Sequence, residues 1–239
     1  MDRDWSIDDW NKWWESAGGR PDGEVIESSH HHDTTDDQTE EEDIYAPTVS
    51  EMLKKHKSLI SGDAGSGSRV FLTFCGKSLD LKWLADEGFD VVGNDCSDFA
   101  LKSFLEEQGL EYDTSKSGGF TIYKAKNTKL ALYAGNFFEL TGEKTEGQFD
   151  AVWDTGSFQS VGVTDRATYA RAVSGLMKQG CKYLLSVTQF KELRTWTGPP
   201  YEITEEILDE IFGENMKWEF VDQAPWGDYM EKIYLLQLK

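Results

Sequence analysis

The spacing of apolar residues changes along this chain, and the changes divide it. From residue 48 to 60, "TVSEMLKKHKSLI" carries Val49, Met52, Leu53, Leu59 and Ile60 at helical spacing, and "SGDAGSGS" then breaks the chain. Beyond residue 68 short apolar runs alternate with amphipathic ones. "RVFLTF", "FDVVGN", "KLALYAGN", "FDAVWDTG", "KYLLSVTQF", "KWEFVDQ" and "EKIYLLQL" read as strands. "LDLKWLADEG", "DFALKSFLEEQG", "DRATYARAVSGLMKQG" and "TEEILDEIFG" read as helices between most of them, ending at Gly88, Gly109, Gly180 and Gly213 as left-handed stops. "GGFTIYKAKNTKL" (118–130) adds a hairpin strand. Strands alternating with helices imply βαβ units and a mostly parallel sheet. The last two strands have only "APWGDYM" between them, too short for a helix, so they pair antiparallel. The expected fold is α/β: a doubly wound, Rossmann-like sheet of about seven strands with an antiparallel C-terminal hairpin.

Residues 1–45 differ from the domain expected over 46–239. They are polar and acidic, and "HHHDTTDDQTEEED" (30–43) reads as a solvated loop. Adjacent histidines such as His30 to His32 do not converge on one ion, so no metal is expected. One apolar island, "WSIDDWNKWW", interrupts the acids. Its Trp10 and Trp14 lie one helical turn apart and share a face. The chain has 239 residues, 38% hydrophobic and 13% aromatic, enough for a sizeable core. Its nine tryptophans exceed what such a core needs, so some are candidates to line a site. A net charge of −20 argues against nucleic acid or an anionic membrane as partner, because phosphate binding needs a basic surface. Cys75, Cys96 and Cys181 form no CxxC pair and suit buried thiols in a reducing compartment. There is no apolar run of about 18 residues and no apolar signal core at the N-terminus. A cytoplasmic monomer acting on a small molecule is the expectation.

In a doubly wound sheet, ligands lie beyond the C-terminal strand ends. Four segments should converge there: "FCGKS", "GNDCS", "AGNFF" and "WDTGS". Gly76 permits a tight turn under a ligand, and Asp95, 19 residues later, ends the second strand. An acid at that place accepts hydrogen bonds from ribose hydroxyls. A dinucleotide fingerprint has three glycines where this turn has one. The three serve close approach to a pyrophosphate, so their absence suits a nucleoside without phosphates, such as S-adenosylmethionine, and disfavours NAD. The plain alternative is an ordinary turn and an ordinary loop acid, and spacing alone does not separate the two. Asn136 and Phe137 are placed to meet an adenine edge and face. Asp154, after the fourth strand, either accepts a proton or orients an acceptor, or else caps the next turn. Cys75 and Cys96 flank the crevice, where packing is expected rather than nucleophilic chemistry; Cys96, beside Asp95, is grouped with the cofactor contacts. His56 lies in a charged helix and is expected to face solvent.

The segments "RVFLTFCGKSLDLKWLADEGFDVVG", "FDAVWDTGSF", "DRATYARAVSGLM", "KYLLSV", "TGPPYEI" and "EKIYLLQLK" occur in this order and resemble the thiopurine S-methyltransferase family. The resemblance covers roughly residues 5–239 apart from the acidic insert. It implies a class I methyltransferase fold, S-adenosylmethionine as donor, and methyl transfer to the sulfur of a small, often aromatic or heterocyclic thiol. By that resemblance Trp10 and Trp14 match the tryptophans that close over the cofactor, with Trp14 also on the acceptor side. Phe74 and Gly76 match the first loop, Asp95 the ribose acid (usually Glu in the family), and Asn136 and Phe137 the adenine contacts. Thr155 stands where the family often has arginine, in a position associated with cofactor and substrate contacts. "TGPPY" (197–201), with Pro199, Pro200 and Tyr201, matches the loop over the acceptor pocket. A thiolate is already a strong nucleophile, so such a site mainly holds donor and acceptor in line and excludes water. The change at Thr155 keeps other acceptors open (oxygen, nitrogen, halide or hydrosulfide), and a non-catalytic cofactor-binding module is the further rival.

Overall fold

Strands with consecutive apolar residues need cover on both faces, and the chain supplies it. The computed structural model describes residues 5–17, 48–61, 67–190, 198–226 and 229–239. The acidic segment and His30 to His32 lie outside the described residues. The nine strands among the described residues are β1 (Arg69–Leu72), β2 (Asp90–Asp95), β3 (Tyr112–Ser117), β4 (Phe120–Ala125), β5 (Leu130–Ala134), β6 (Phe149–Thr155), β7 (Met177–Phe190), β8 (Met216–Trp226) and β9 (Tyr229–Leu238). They form one sheet in the order β3-β4-β5-β2-β1-β6-β7-β9-β8. The inner five, β5 to β7 in that order, are parallel, and antiparallel hairpins finish both edges.

Alternate side chains feed two cores. Phe71, Val92, Val152, Tyr183, Leu185 and Tyr234 pack on one face with α5 (Arg166–Leu176) and α6 (Glu205–Phe212). Val70, Leu72, Val91, Trp153, Leu184 and Ile233 pack on the other with α2 (Glu51–Ser61), α3 (Asp80–Asp86) and α4 (Asp98–Glu107). The second face also buries a polar joint. Asp80 accepts from Ser50 N (2.8 Å) and from the Trp153 indole (2.7 Å), pinning the start of α2 to β6.

The expected fold and the antiparallel C-terminal hairpin are observed. Among the described residues there are nine strands, one more than the seven runs and the hairpin strand read from the sequence and two more than the expected sheet of about seven. The added one, β3, has six residues that are exposed or half-buried, and it is held by backbone pairing with β4. The helix expected to run to Gly180 ends at Leu176, because Met177 already pairs with Phe149 of β6. Gly88 and Gly109 are left-handed stops at φ 93° and 64°, whereas Gly180 lies inside β7 and Gly213 is right-handed at φ −60°. His56 does not face solvent. Its Nε2 lies 2.8 Å from Asp222 Oδ2, tying α2 to β8.

Candidate functional site

Chain order reverses at β1, which lies between β2 and β6, and the loops leaving β1, β2, β5 and β6 meet above it. Hydrogen bonds to backbone carbonyls lock these loops together. Cys75 N donates to Asn94 O (2.9 Å), and Asn94 Nδ2 donates to the carbonyls of Tyr133 (2.7 Å) and Gly135 (3.1 Å). Ser157 Oγ donates to Thr73 O (2.7 Å). The first loop turns through Phe74 (φ 39°) and Gly76 (φ 45°), both left-handed. That conformation costs a bulky L-residue about 1–2 kcal/mol. The Phe74 ring is held there by edge contacts with Phe137 (5.3 Å) and Tyr169 (5.6 Å).

At the centre is Asp95. It is 4% exposed; Gly76 N donates to its Oδ2 and Ser97 N to its Oδ1, each at 2.9 Å. A carboxylate offers about four acceptor sites, so lone pairs remain for a ligand. Burial pushes its pKa above the ordinary value, against the pull of the Ser97 and Gly76 amides. Asp95 lies on the wall of a cavity of about 290 Å³, close to the lower bound for small-molecule sites. Helix α1 (Ile7–Ala17) forms another part of the wall. Trp10, Trp13 and Trp14 all line it, the i, i+3, i+4 face of one helix, joined by contacts of 6.0 Å and 4.9 Å between ring centres. Trp14 lies directly on the first loop: a Cβ added to Gly76 would come 2.5 Å from its Cζ2. Only a glycine allows that approach.

Of the residues predicted from sequence, Trp10, Trp14, Phe74, Asp95, Cys96, Asn136, Phe137 and Thr155 line this one cavity, and Gly76 supports it through Trp14. Cys96 is half-buried rather than buried, and burial raises its thiol to about 12, which keeps it protonated and inert. Asn136 also caps the turn that follows it, accepting from Phe138 N (3.1 Å). Asp154 does not line the cavity. It is fully buried beneath it, accepting from the hydroxyls of Tyr169 (2.5 Å) and Tyr183 (2.6 Å) and the amides of Ser157 (3.1 Å) and Phe158 (3.2 Å). Pro199, Pro200 and Tyr201 stand outside the lining as well. Tyr201 N donates to Gln159 O (2.6 Å), so this loop abuts the segment that closes the cavity.

Gly156 of "WDTGS" lines the cavity, but sequence reasoning missed the rest of that closing segment, whose Ser160, Val161, Gly162 and Asp165 also line it, and it missed the rim. Trp5 (39% exposed), Ile7 (41%) and Phe138 (38%) form an apolar mouth. Helical spacing contained the signal for Trp13, three residues after Trp10. Nothing in "GSFQSVGVTD" marks a wall.

The chain matches the sequence model of the thiopurine S-methyltransferase family over residues 38–232. It is 33% identical over 203 residues to thiopurine S-methyltransferase of Rattus norvegicus, covering 79% of this chain and 83% of that protein. Against the probable thiopurine S-methyltransferase of Danio rerio it is 30% identical over 184 residues, covering 72% and 78%. Among solved structures it shares its fold with the 1,6-didemethyltoxoflavin-N1-methyltransferase of Burkholderia thailandensis, bound there to 1,6-didemethyltoxoflavin and S-adenosylhomocysteine. Identity is 16%, the TM-score 0.54 and coverage 79% of each chain. A glycopeptide N-methyltransferase complexed with sinefungin gives 15% identity and a TM-score of 0.56, over 82% of this chain and 95% of that one.

Proposed function

The chain belongs to the thiopurine S-methyltransferase family, and from that premise we propose that it is an S-adenosylmethionine-dependent methyltransferase whose acceptor is the sulfur of a small aromatic or heterocyclic thiol. One observation carries the reading: a buried carboxylate, already bonded to two loop amides, is presented to a cavity walled by aromatic rings. The residues fit the cofactor. Asp95 retains acceptor sites for ribose hydroxyls, Asn136 and Phe137 line the same cavity and suit adenine, and the tryptophan face of α1 suits a sulfonium. Lys77, the basic residue of the first loop, is held by Glu107 at 2.6 Å.

When bound, S-adenosylmethionine supplies an electrophilic methyl: its C–S bond breaks as the acceptor sulfur forms the new one, and the bonding pair stays on the departing thioether. The protein's own part is to position and to exclude water. Asp95 fixes the ribose, and Phe74 and Phe137 set the depth of the crevice. Trp10, Trp13 and Trp14 cover it. The acceptor thiol gives its proton to water, so no base is required of the chain. Asp154 takes a different role here from the proton acceptor considered above. With four donors on its carboxylate it sets the path of the 154–158 turn, and so the placement of Thr155 on the wall.

Calorimetric titration with S-adenosylhomocysteine, followed by assay of thiophenols of graded acidity, tests this. The expected result is methylation on sulfur with a pH–rate inflection that moves with the acceptor's own pKa. An inflection at one fixed pH for every acceptor would reveal an enzyme base and shift the reading to an oxygen or nitrogen acceptor. Trp14→Ala is expected to weaken S-adenosylhomocysteine and sinefungin unequally. Sinefungin, with a cationic amine where the donor has its sulfonium, should lose about 2- to 20-fold more if the indole face meets that charge. Equal losses would reduce Trp14 to a staple.

A further inference from the structure

Resting on the thiol-methylation reading, we infer that the site selects acceptors by charge: it takes uncharged or cationic aromatic thiols and turns away those bearing a second anionic group such as a carboxylate. Among the described residues lining the cavity, the only ionisable groups besides Cys96 are the carboxylates Asp95 and Asp165. Asp95 is on the inner wall, and Asp165 is exposed just before α5. Half of the other lining residues are aromatic, and aromatic faces carry partial negative charge. Lys12 of α1 is exposed, two residues from Trp10 and off the face that lines the cavity, and two other described cations are spent elsewhere. Lys77 is paired with Glu107, and the buried Arg166 guanidinium lies against the rings of Phe158 (5.9 Å) and Tyr201 (5.4 Å). A carboxylate entering this cavity would shed water and meet no cation among the described lining residues in return, which is costly. The net charge of −20 adds a long-range bias of the same sign. The reacting thiolate is a different case, because its charge is met by the donor's sulfonium.

Thr155 is the position that sets this preference. It ends β6, is exposed and lines the cavity, so a longer side chain there reaches the ligand space without disturbing the core.

The test compares para-substituted thiophenols carrying a carboxylate, its methyl ester or a trimethylammonium group, using the full chain. The ester and the cation should exceed the carboxylate roughly tenfold or more in kcat/KM, chiefly through KM, and the gap should narrow as salt is raised. Thr155→Arg should raise the carboxylate's relative kcat/KM by roughly tenfold, whereas the uncharged Thr155→Gln should keep the wild-type ranking. Asp165→Asn, removing one wall carboxylate, should move the ranking the same way as the arginine, by a smaller factor. A carboxylate acceptor that matches or beats its ester in wild type at low salt overturns the inference. If no thiol is methylated, the thiol reading fails separately. The charge preference is then read from affinities of the corresponding S-methyl thioethers for the S-adenosylhomocysteine complex, by tryptophan fluorescence, and equal affinities overturn it.

Discussion

Asp95→Ala is expected to weaken S-adenosylhomocysteine binding by one to two orders of magnitude in a calorimetric titration. The carboxylate occupies a buried position at the end of β2 and has spent one acceptor site per oxygen on the amides of Gly76 and Ser97. Hydrogen bonds to a charged group contribute about 1.5–3 kcal/mol each, so losing even one of the pair to a ribose diol removes roughly 10- to 100-fold in affinity, and solvent in the cavity offsets part of the loss of the second. The substitution also frees the Gly76 and Ser97 amides, and the first loop then loses its tie to the end of β2. Asp95→Asn separates the two effects. Its carbonyl oxygen still satisfies one amide, but its NH₂ confronts the other donor, so affinity should fall between wild type and alanine. Cavity water can reach the freed amides, so the melting temperature should change less than the affinity. An alanine variant that binds like wild type would remove the ribose from this wall and with it the basis for the proposed function.

What could be read from the sequence, and what could not, follows from where the determining interactions lie. The inner strands were legible because β1, β2, β6 and β7 each carry consecutive apolar residues (70–72, 91–92, 151–153 and 183–185), and only a sheet covered on both faces buries such runs. Their C-terminal residues followed from the βαβ order, which is why Phe74, Asp95, Asn136 and Thr155 came out on one cavity. β3 was not legible. Its polar side chains are indistinguishable from a loop, and only the facing residues of β4 make it a strand. The end of α5 was hidden in the same way, since Met177 to Gly180 contain no breaker before the glycine and pairing with β6 decides their conformation. The cavity wall from Gly156 to Asp165 is loop and 3-10 turn, positioned by bonds such as Ser157 to Thr73 that span 84 residues of sequence. His56 and Asp154 show the limit for single polar residues: exposure and partners decide their role, and neither is encoded locally.

Asp154→Ala should be the most damaging single change to stability among those considered. Four donors converge on this carboxylate: the hydroxyls of Tyr169 and Tyr183, both fully buried, and the amides of Ser157 and Phe158. Removing it leaves all four without their acceptor in a dry core, while relieving the carboxylate's own desolvation. The net loss is expected to be about 3–5 kcal/mol in urea unfolding. Asp154→Asn should cost much less, about 1–2 kcal/mol, because the amide oxygen can still serve the two backbone amides and the tyrosine hydroxyls can turn to accept from its NH₂. The pH dependence distinguishes this acid from an ordinary salt-bridged one. Burial, the largest influence, raises its pKa above the ordinary carboxylate value despite the hydrogen bonds from Tyr169 and Tyr183. Between the unfolded value and the higher folded value, the folded state holds more protons, so this group's contribution to stability declines as pH rises through that window and is constant above it. Asparagine does not titrate. The stability advantage of wild type over Asp154→Asn should therefore be largest at acid pH and shrink toward neutrality, the reverse of what a carboxylate stabilised in its charged form would give. Matched for folded fraction, the asparagine variant should keep kcat within several-fold of wild type. A loss of several orders of magnitude, with the acid-side pH–rate limb abolished, would restore Asp154 as a proton acceptor.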